Sequence, residues 1–400
     1  MFLLRILATV IPLINTLSAA AAVRDSEGIR IPIRRRDTIV KYDRSIDAQA
    51  LRAEIAHVQT RYTHAFARYE ANTGERHPLD EGRNRTIQER ATTPVPGATE
   101  MYTPDGYAWA GTIKIGTPAK SFSLNFDTGS SDLIIADSGC ESCNPDDLHH
   151  AYNPGEPVWI DHLIHRASMT NRATGVSFKA AFANAPADGI LGLAWPSLSA
   201  FKISGYKPFF NSLIAQGTVK QGVIGVVFDE VPGAEVCLGC IHDTFPHSTL
   251  GYTALESKSF WQIALNSITV NQKSKAVGSS TAIIDTGTSL IFGPKAAVYA
   301  IYAHFPGAQD ASDTIAPGAF TFPCAAASLP GNLTFTFPGG SYLLPGEVFL
   351  KGPIKYGSKT CLGTIAYHSD NYWLLGAAWL NWVYTVFDMD HARVGFAKLG

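Results

Sequence analysis

The apolar residues follow two different periods along the chain. Between Ile46 and Tyr69 they recur every three or four residues, which predicts an amphipathic helix. The residues that define this stripe are Leu51, Ile55, Val58 and Tyr62. From Tyr107 onward, short β-branched and aromatic runs are broken by Gly, Pro, Asn and Asp, a pattern typical of strands and tight turns. The sequence therefore predicts a helical segment followed by a larger all-β body.

The first 22 residues have the pattern of a secretory signal peptide. Arg5 precedes an apolar stretch from Ile6 to Leu17, and the small residues 18–22 offer cleavage sites. A membrane anchor is the alternative, but Arg5 and Asn15 interrupt a run that is already shorter than a membrane span. We therefore expect residues 1–22 to be removed. The mature protein is expected to be extracellular, with a vacuole as the alternative destination, and not to bind a membrane.

Charge is distributed unevenly along the 400 residues. Residues 23–95 carry 14 Arg and Lys against 11 Asp and Glu, whereas residues 96–400 carry 17 against 23. The 46% hydrophobic content excludes a disordered chain, and the pI near 6.6 argues against nucleic-acid binding. Two parts of opposite charge attract each other or are later separated. We interpret residues 23–97 as a pro-segment with its linker, in which Arg34-Arg35-Arg36 is either a processing site or a solvated charge cluster.

One short motif occurs twice in the β-rich part. Residues 126–131, Phe-Asp-Thr-Gly-Ser-Ser, are echoed by residues 284–289, Ile-Asp-Thr-Gly-Thr-Ser, and both follow a strand-like run. A second pair of echoes follows at a distance, Ile-Leu-Gly at 190–192 and Leu-Leu-Gly at 374–376. Chance explains two such copies poorly, so we infer an internal duplication.

The repeated aspartates, Asp127 and Asp285, are the candidate catalytic residues. In two lobes related by a two-fold axis they would face each other, and carboxylates that close share one proton because both cannot easily ionise. The ionised carboxylate can then take a proton from water while the protonated one polarises a carbonyl group. The neighbours expected to support the pair, by close backbone approach or by hydroxyl hydrogen bonds, are Thr128, Gly129, Ser130, Thr286, Gly287 and Thr288. The alternative is that the two motifs merely cap turns.

These motifs and their surroundings resemble the pepsin-like aspartic proteases, for which the shared-proton pair is the known scheme. The similarity extends from about Tyr107 to Gly400 and includes five further stretches, Gly111–Pro118, Asp188–Trp195, Phe209–Phe210, Phe260–Ile263 and Tyr384–Asp388. The resemblance implies an all-β, bilobal fold with a substrate cleft between lobes that we place at residues 98–247 and 248–400. It also implies that a monomer hydrolyses extended polypeptides at acid pH, without a metal or other cofactor.

Within the predicted helix, Arg61-Tyr62 resembles the Lys-Tyr pair that covers the two aspartates of this family before activation. The resemblance implies a zymogen whose basic pro-segment forms ion pairs with Asp127 and Asp285. Acid would weaken these pairs as the carboxylates take up protons. An ordinary amphipathic helix with solvated Arg side chains is the alternative.

The six cysteines form three candidate pairs. By resemblance, two of these are disulfides, Cys140 with Cys143 and Cys324 with Cys361. Cys237 and Cys240 lie outside the family's pattern. Side chains three apart on an extended strand point to opposite faces, so we expect free thiols there unless a turn intervenes. A zinc site is the alternative for the first pair, with His149, His150, His162 and His165 nearby.

Two sequons, at Asn84 and Asn332, are candidate glycosylation sites. A secreted chain would offer such sites to the glycosylation machinery. We give the greater weight to Asn332.

The first lobe departs from the family in one interval. Asp285 to Gly376 spans 91 positions, but Asp127 to Gly192 spans only 65, which is 26 fewer. The family carries there its flap, a β-hairpin with a Tyr near the tip, whereas residues 161–173 lack the Tyr-Gly-x-Gly turn. Three explanations stay open: an active protease with a different lid, an impaired relative that binds peptides, and a misread gene product.

Overall fold

The structure is a computed structural model that describes residues 28–37, 39–80, 107–116, 118–135, 150–152, 187–201, 207–228, 233–272, 274–325 and 331–399. Several expectations fall outside these residues. They are the signal peptide at 1–22, the sequon at Asn84, the pair Cys140 and Cys143, and the interval 161–173.

The described residues form β-strands and a few helices. The strands up to residue 250 are β1 (Ile29–Asp37), β2 (Tyr107–Ile115), β3 (Lys120–Asp127), β4 (Leu133–Ile135), β5 (Gly189–Gly192), β6 (Val223–Val227) and β7 (Glu235–Leu238). The next strands are β8 (Gly251–Lys258), β9 (Trp261–Leu265), β10 (Ser267–Val270), β11 (Ser274–Val277), β12 (Ser280–Ile284), β13 (Ile291–Pro294), β14 (Gln309–Asp310) and β15 (Phe320–Pro323). The last strands are β16 (Leu333–Phe337), β17 (Gly340–Leu344), β18 (Leu350–Pro353), β19 (Thr360–Gly363), β20 (Ile365–His368), β21 (Trp373–Leu375), β22 (Val383–Asp388) and β23 (Arg393–Lys398). The α-helices are α1 (Ala48–Thr73), α2 (Phe209–Ala215), α3 (Lys295–Tyr302) and α4 (Ala377–Leu380).

One long sheet connects the two halves of the chain. Among the described residues it has 15 strands in the order β20-β13-β21-β12-β9-β8-β23-β22-β6-β7-β1-β2-β3-β5-β4. Two four-stranded sheets, β11-β10-β16-β17 and β14-β15-β19-β18, complete the second half. Because β22 pairs with β6 while β23 pairs with β8, the C-terminal strands join the halves. The predicted all-β, bilobal fold class is confirmed.

The inferred duplication is visible in the strand pairing. In each half, the strand that leads to the Asp-Thr-Gly motif runs parallel to the strand of the second echo, β3 with β5 and β12 with β21. A third strand, β4 or β13, then pairs antiparallel with that echo strand. The equivalent cross-strand pairs are Phe126–Leu191 with Ile284–Leu375, and Leu133–Leu191 with Ile291–Leu375. The two motifs therefore occupy the same place in two copies of one arrangement.

The predicted helix is present as α1. Asp47 caps its first turn by accepting hydrogen bonds of 3.0 and 3.1 Å from the amides of Gln49 and Ala50. It ends at Gly74, whose φ of +81° favours glycine. The predicted apolar stripe is buried in a cluster with residues of the second half, including Phe260 and Tyr372. Burial of this stripe holds the helix on the body.

The strand β1 places part of the basic segment inside the long sheet. Its backbone pairs with β7 on one side and β2 on the other, where Arg34 to Arg36 lie opposite Ala110 to Ala108. A protease that cut at these arginines would first have to separate β1 from β2.

The expectation of free thiols at Cys237 and Cys240 is wrong, since a disulfide joins them. Cys237 lies in β7, but the strand ends at Leu238 and Gly239 turns the chain with a φ of +80°. This turn brings the two Cα atoms within 5.4 Å, a distance that suits a disulfide. A second disulfide joins Cys324 and Cys361, as the resemblance implied.

The described residues offer neither a membrane-spanning helix nor a cluster of metal ligands. No helix among them has the length and apolar character needed to cross a membrane. In the same residues, no group of three or more His, Cys, Asp or Glu side chains is placed to hold a metal ion. Of the residues in the zinc alternative only His150 is described, and its Nδ1 lies 3.4 Å from the Asp188 carboxylate.

Candidate active site

The two Asp-Thr-Gly motifs meet through reciprocal hydrogen bonds between their threonines. The Thr286 amide donates to Thr128 Oγ1 at 3.0 Å, and the Thr128 amide donates to Thr286 Oγ1 at 2.9 Å. Each hydroxyl then donates to a carbonyl of the opposite half, Thr128 to Ile284 at 3.0 Å and Thr286 to Phe126 at 2.6 Å. All four groups are buried, so the interlock holds the motifs in register without competition from water.

Each motif also orients its own carboxylate. The Gly129 amide lies 2.9 Å from Asp127 Oδ1, and the Gly287 amide lies 3.0 Å from Asp285 Oδ1. The hydroxyls of Ser130 and Thr288 each donate to the other oxygen of their aspartate at 2.5 Å. The six support residues named from the sequence are thus gathered around the two aspartates.

Glycine is needed at positions 129 and 287 because the carboxylate of the opposite motif lies directly against each of them. A Cβ at Gly129 would lie 2.7 Å from Asp285 Oδ1, and a Cβ at Gly287 would overlap the carboxylate of Asp127. Any larger residue would push the two motifs apart.

Helix α1 covers both carboxylates with one arginine. Arg61 donates through one terminal nitrogen to Asp127 Oδ1 at 3.1 Å and through the other to Asp285 Oδ2. The same nitrogen that binds Asp285 lies 2.9 Å from Thr288 Oγ1. The hydroxyl of Tyr62 donates to Asp285 Oδ2 at 2.9 Å. The Arg-Tyr pair therefore occupies the place above the aspartates that the resemblance implied.

The surroundings shift the pKa values of the two aspartates in opposite directions. Burial, helped by the nearby Asp285, raises the pKa of Asp127, although Arg61 opposes this effect. Burial acts on Asp285 as well, but Arg61 and the hydroxyls of Thr288 and Tyr62 outweigh it and lower its pKa. In this form Asp285 is the aspartate that more readily carries the negative charge.

The comparisons with known proteins agree with this geometry. The family model described as eukaryotic aspartyl protease matches residues 108–158 and 156–399. The chain belongs to this family. An aspartic protease of Phaffia rhodozyma is 36% identical over 319 residues, covering 72% of this chain and 76% of the relative. Pepsin A of Bos taurus is 32% identical over 345 residues, covering 79% and 90%, and cathepsin D of Chionodraco hamatus is 30% identical over 352 residues, covering 77% and 85%. The protein is an aspartic-type endopeptidase.

The same comparisons bear on the short interval of the first lobe. The alignment with the P. rhodozyma protease has 319 positions, but it contains only 72% of this chain's 400 residues, which is about 288. About 31 positions of the P. rhodozyma protease therefore have no counterpart in this aspartyl protease. The family model also matches in two parts that meet at residues 156–158, just before the interval 161–173. Both findings agree with the shortfall of 26 positions in the motif spacing.

Sequence reasoning missed several buried polar residues in helix α1 and in the residues that follow it up to Asp80. Glu54, His57 and His77 are buried, as is Lys351 of the body. The signal for Glu54 and His57 was their place beside the apolar stripe of α1, since titratable residues there must either reach solvent or find a partner.

Proposed function

We propose that this chain is the pro-form of a secreted aspartic endopeptidase that cleaves extended polypeptides at acid pH, with Asp127 and Asp285 as the catalytic pair. One observation supports this proposal above the others. A single guanidinium, that of Arg61, binds both carboxylates at once. A water molecule in its place would be within reach of both aspartates.

The proposed chemistry begins when Arg61 leaves. Two adjacent carboxylates without a cation retain one proton between them. The ionised aspartate then takes a proton from the water, whose oxygen attacks the peptide carbonyl carbon. The protonated aspartate donates a hydrogen bond to the carbonyl oxygen, and a proton passes to the leaving nitrogen. This is the established scheme of aspartic proteases, and acid pH favours the singly protonated pair it requires.

Residues 23–97 act in this proposal as the inhibitory pro-segment of the zymogen. Strand β1 is held in the long sheet, α1 is held by its buried stripe, and Arg61 occupies the catalytic position. We propose lobes at 98–247 and 248–400, a signal peptide at 1–22 that directs secretion, and a monomer as the active form. Asn332, half-buried just before β16, is the proposed glycosylation site.

The test uses the purified full chain. Brought to about pH 4, where the ion pairs weaken, it should lose its pro-segment and then cleave an acid-unfolded protein. Gel electrophoresis and N-terminal sequencing follow the first step, and release of soluble peptides follows the second. The Asp127→Asn variant provides the control for contaminating proteases. A chain that stays uncut and inactive across the acid range would contradict the proposal.

A further inference from the structure

The disulfide of Cys237 and Cys240 lies directly under the start of β1. The backbone of Gly28 rests on it, because a Cβ at this position would overlap the Leu238 carbonyl oxygen and lie 2.7 Å from Cys240 Sγ. From there β1 runs antiparallel to β7, with Arg30 opposite Cys237. The first residues of β1 therefore bind a surface that the disulfide loop forms.

The same disulfide joins two segments that hold one arginine of β1. Glu235 lies in β7 before the turn at Gly239, and Asp243 follows that turn. Arg30 donates to Glu235 Oε1 at 3.2 Å and to Asp243 Oδ2 at 3.3 Å. Because the disulfide ties the two segments together, it limits the distance between the two carboxylates that a single guanidinium binds.

The two sulfur atoms have little room to separate while β1 is bound. Cys237 is 1% exposed and Cys240 is 9% exposed. Two thiols need more space than a disulfide, because sulfur atoms that are not bonded stay at van der Waals distance. On the side of the body, the Gly239 amide donates to the Val223 carbonyl at 2.7 Å. Since this bond holds the turn against the body, reduced thiols gain their room by displacing Gly28.

We infer that Cys237 and Cys240 form a redox-sensitive switch for the binding of β1, opened by a dithiol reductant. The oxidised pair shapes the surface that β1 binds, and bound β1 shields Cys240 from the reductant. Such coupling is reciprocal, so that reduction loosens β1 and displacement of β1 favours reduction. The switch acts at neutral pH and does not depend on acid. The inference rests on the proposed function only in treating β1 as part of the pro-segment.

The reaction is a thiol–disulfide exchange. One thiolate of the dithiol attacks Cys240 Sγ, the more exposed of the two sulfurs, and Cys237 leaves as a thiolate. The second thiolate of the dithiol attacks the reductant's own sulfur in the mixed disulfide, and Cys240 leaves in turn. Two electrons thus pass from the dithiol, which becomes a disulfide, to the cysteine pair, and the two protons that the dithiol loses are balanced by those that the cysteines take up.

The first experiment measures how fast dithiothreitol reduces each disulfide of the full chain at about pH 8, where thiolates are available. Free thiols are alkylated at intervals and identified by mass spectrometry of peptides. Gly28→Ala places a methyl group against Cys240 and Leu238, so it should displace the start of β1 and speed reduction of the Cys237–Cys240 bond about tenfold. Gly278→Ala is the matched control, because a Cβ there has no described atom within 4 Å. Equal rates in the two variants would overturn the inference.

The second experiment measures the reverse effect by hydrogen exchange of residues 28–33 at neutral pH. Cys237→Ser combined with Cys240→Ser should speed this exchange about tenfold. Cys324→Ser combined with Cys361→Ser removes the second disulfide and should leave it unchanged. Unchanged exchange in the first double variant, or an equal increase throughout β12, would overturn the inference. This experiment also decides if Gly28→Ala unfolds the chain, which faster reduction of Cys324–Cys361 would reveal.

Neither experiment requires proteolysis, since both use the uncut chain at a pH where the ion pairs of Arg61 are intact. Their failure would overturn the redox switch and leave the proposed function in place. Failure to cleave an acid-unfolded protein would count separately against the proposed function and leave the measured coupling unaffected.

Discussion

The two Asp-Thr-Gly motifs are alike in themselves and differ in what the covering helix adds to them. Each carboxylate accepts from a glycine amide, at 2.9 or 3.0 Å, and from a hydroxyl at 2.5 Å. Arg61 binds both aspartates, but Tyr62 donates only to Asp285. The pKa of Asp127 is raised while that of Asp285 is lowered. The duplicated motifs thus provide a nearly symmetric pair, and the covering helix α1 makes it asymmetric.

The largest expected effect comes from removing either carboxylate. Because the proposed reaction needs one ionised and one protonated aspartate, Asp127→Asn and Asp285→Asn should each reduce cleavage of an acid-unfolded protein by at least about a thousandfold. The measurement is the initial rate of peptide release after acid activation. Circular dichroism and thermal unfolding check that each variant is folded. A variant that kept most of the activity would show that the two motifs are not equivalent in catalysis.

Removing the shared cation should come next. Arg61→Met leaves two buried carboxylates without their common partner, which costs about 3–5 kcal/mol. Hydrogen exchange of residues 48–73 at neutral pH should therefore be much faster, because α1 separates from the body. Arg52→Met is the matched control on the same helix, since exposed Arg52 donates to the backbone carbonyls of Ile315 and Thr314 and, within the described part of the chain, forms no ion pair with a carboxylate. Equal effects of the two variants would contradict the central role of Arg61.

Acid should weaken the contact of α1 with the body through two histidines as well as through Asp285. Burial lowers the pKa of His57 to about 3 and that of His77 to about 4. When folding lowers the pKa of a histidine, the folded state keeps its full stability at a pH above the free pKa, near 6.5. As the pH falls below 6.5 toward the folded pKa, the unfolded state binds the proton more readily, and this stability is lost. For His57 this loss reaches about 3 kcal/mol between roughly pH 6.5 and 4.

His57→Gln should therefore move the midpoint of pro-segment release to lower pH, and His77→Gln should do the same. The release can be followed by gel filtration across a pH series in an Asp127→Asn background, which prevents self-cleavage. Exposed His304 supplies the control, since His304→Gln should leave the midpoint unchanged. Midpoints that stay the same in all variants would assign the pH response to Asp285 rather than to the histidines.

The two Asp-Thr-Gly motifs and the covering helix were predictable because their signals are local or repeated. Two copies of one motif marked Asp127 and Asp285, and the helical period marked α1. The positions of Arg61 and Tyr62 above the aspartates were predicted only from the resemblance to the family's Lys-Tyr pair. An Arg-Tyr dipeptide alone carries no repeat or periodic pattern that would mark it in the sequence.

What the sequence did not predict depends on partners that are distant in the chain. Glu54 looks like an edge residue of the stripe until its carboxylate is seen 3.0 Å from the Ser289 amide. The disulfide of Cys237 and Cys240 depends on the backbone turn at Gly239, which the assumption of a continuous strand excluded. The glycine between the cysteines was the available signal for that turn.

The smallest expected effect tests the asymmetry itself. Tyr62→Phe removes a hydrogen bond that only Asp285 receives, so it should destabilise the covered form by about 1–2 kcal/mol. In a double-mutant cycle at neutral pH, that loss should persist in the Asp127→Asn background and largely vanish with Asp285→Asn. Thermal unfolding of the three single variants, the two double variants and the unaltered chain gives both coupling energies. Equal coupling of Tyr62 to the two aspartates would mean that the asymmetry lies in the motifs rather than in the helix that covers them.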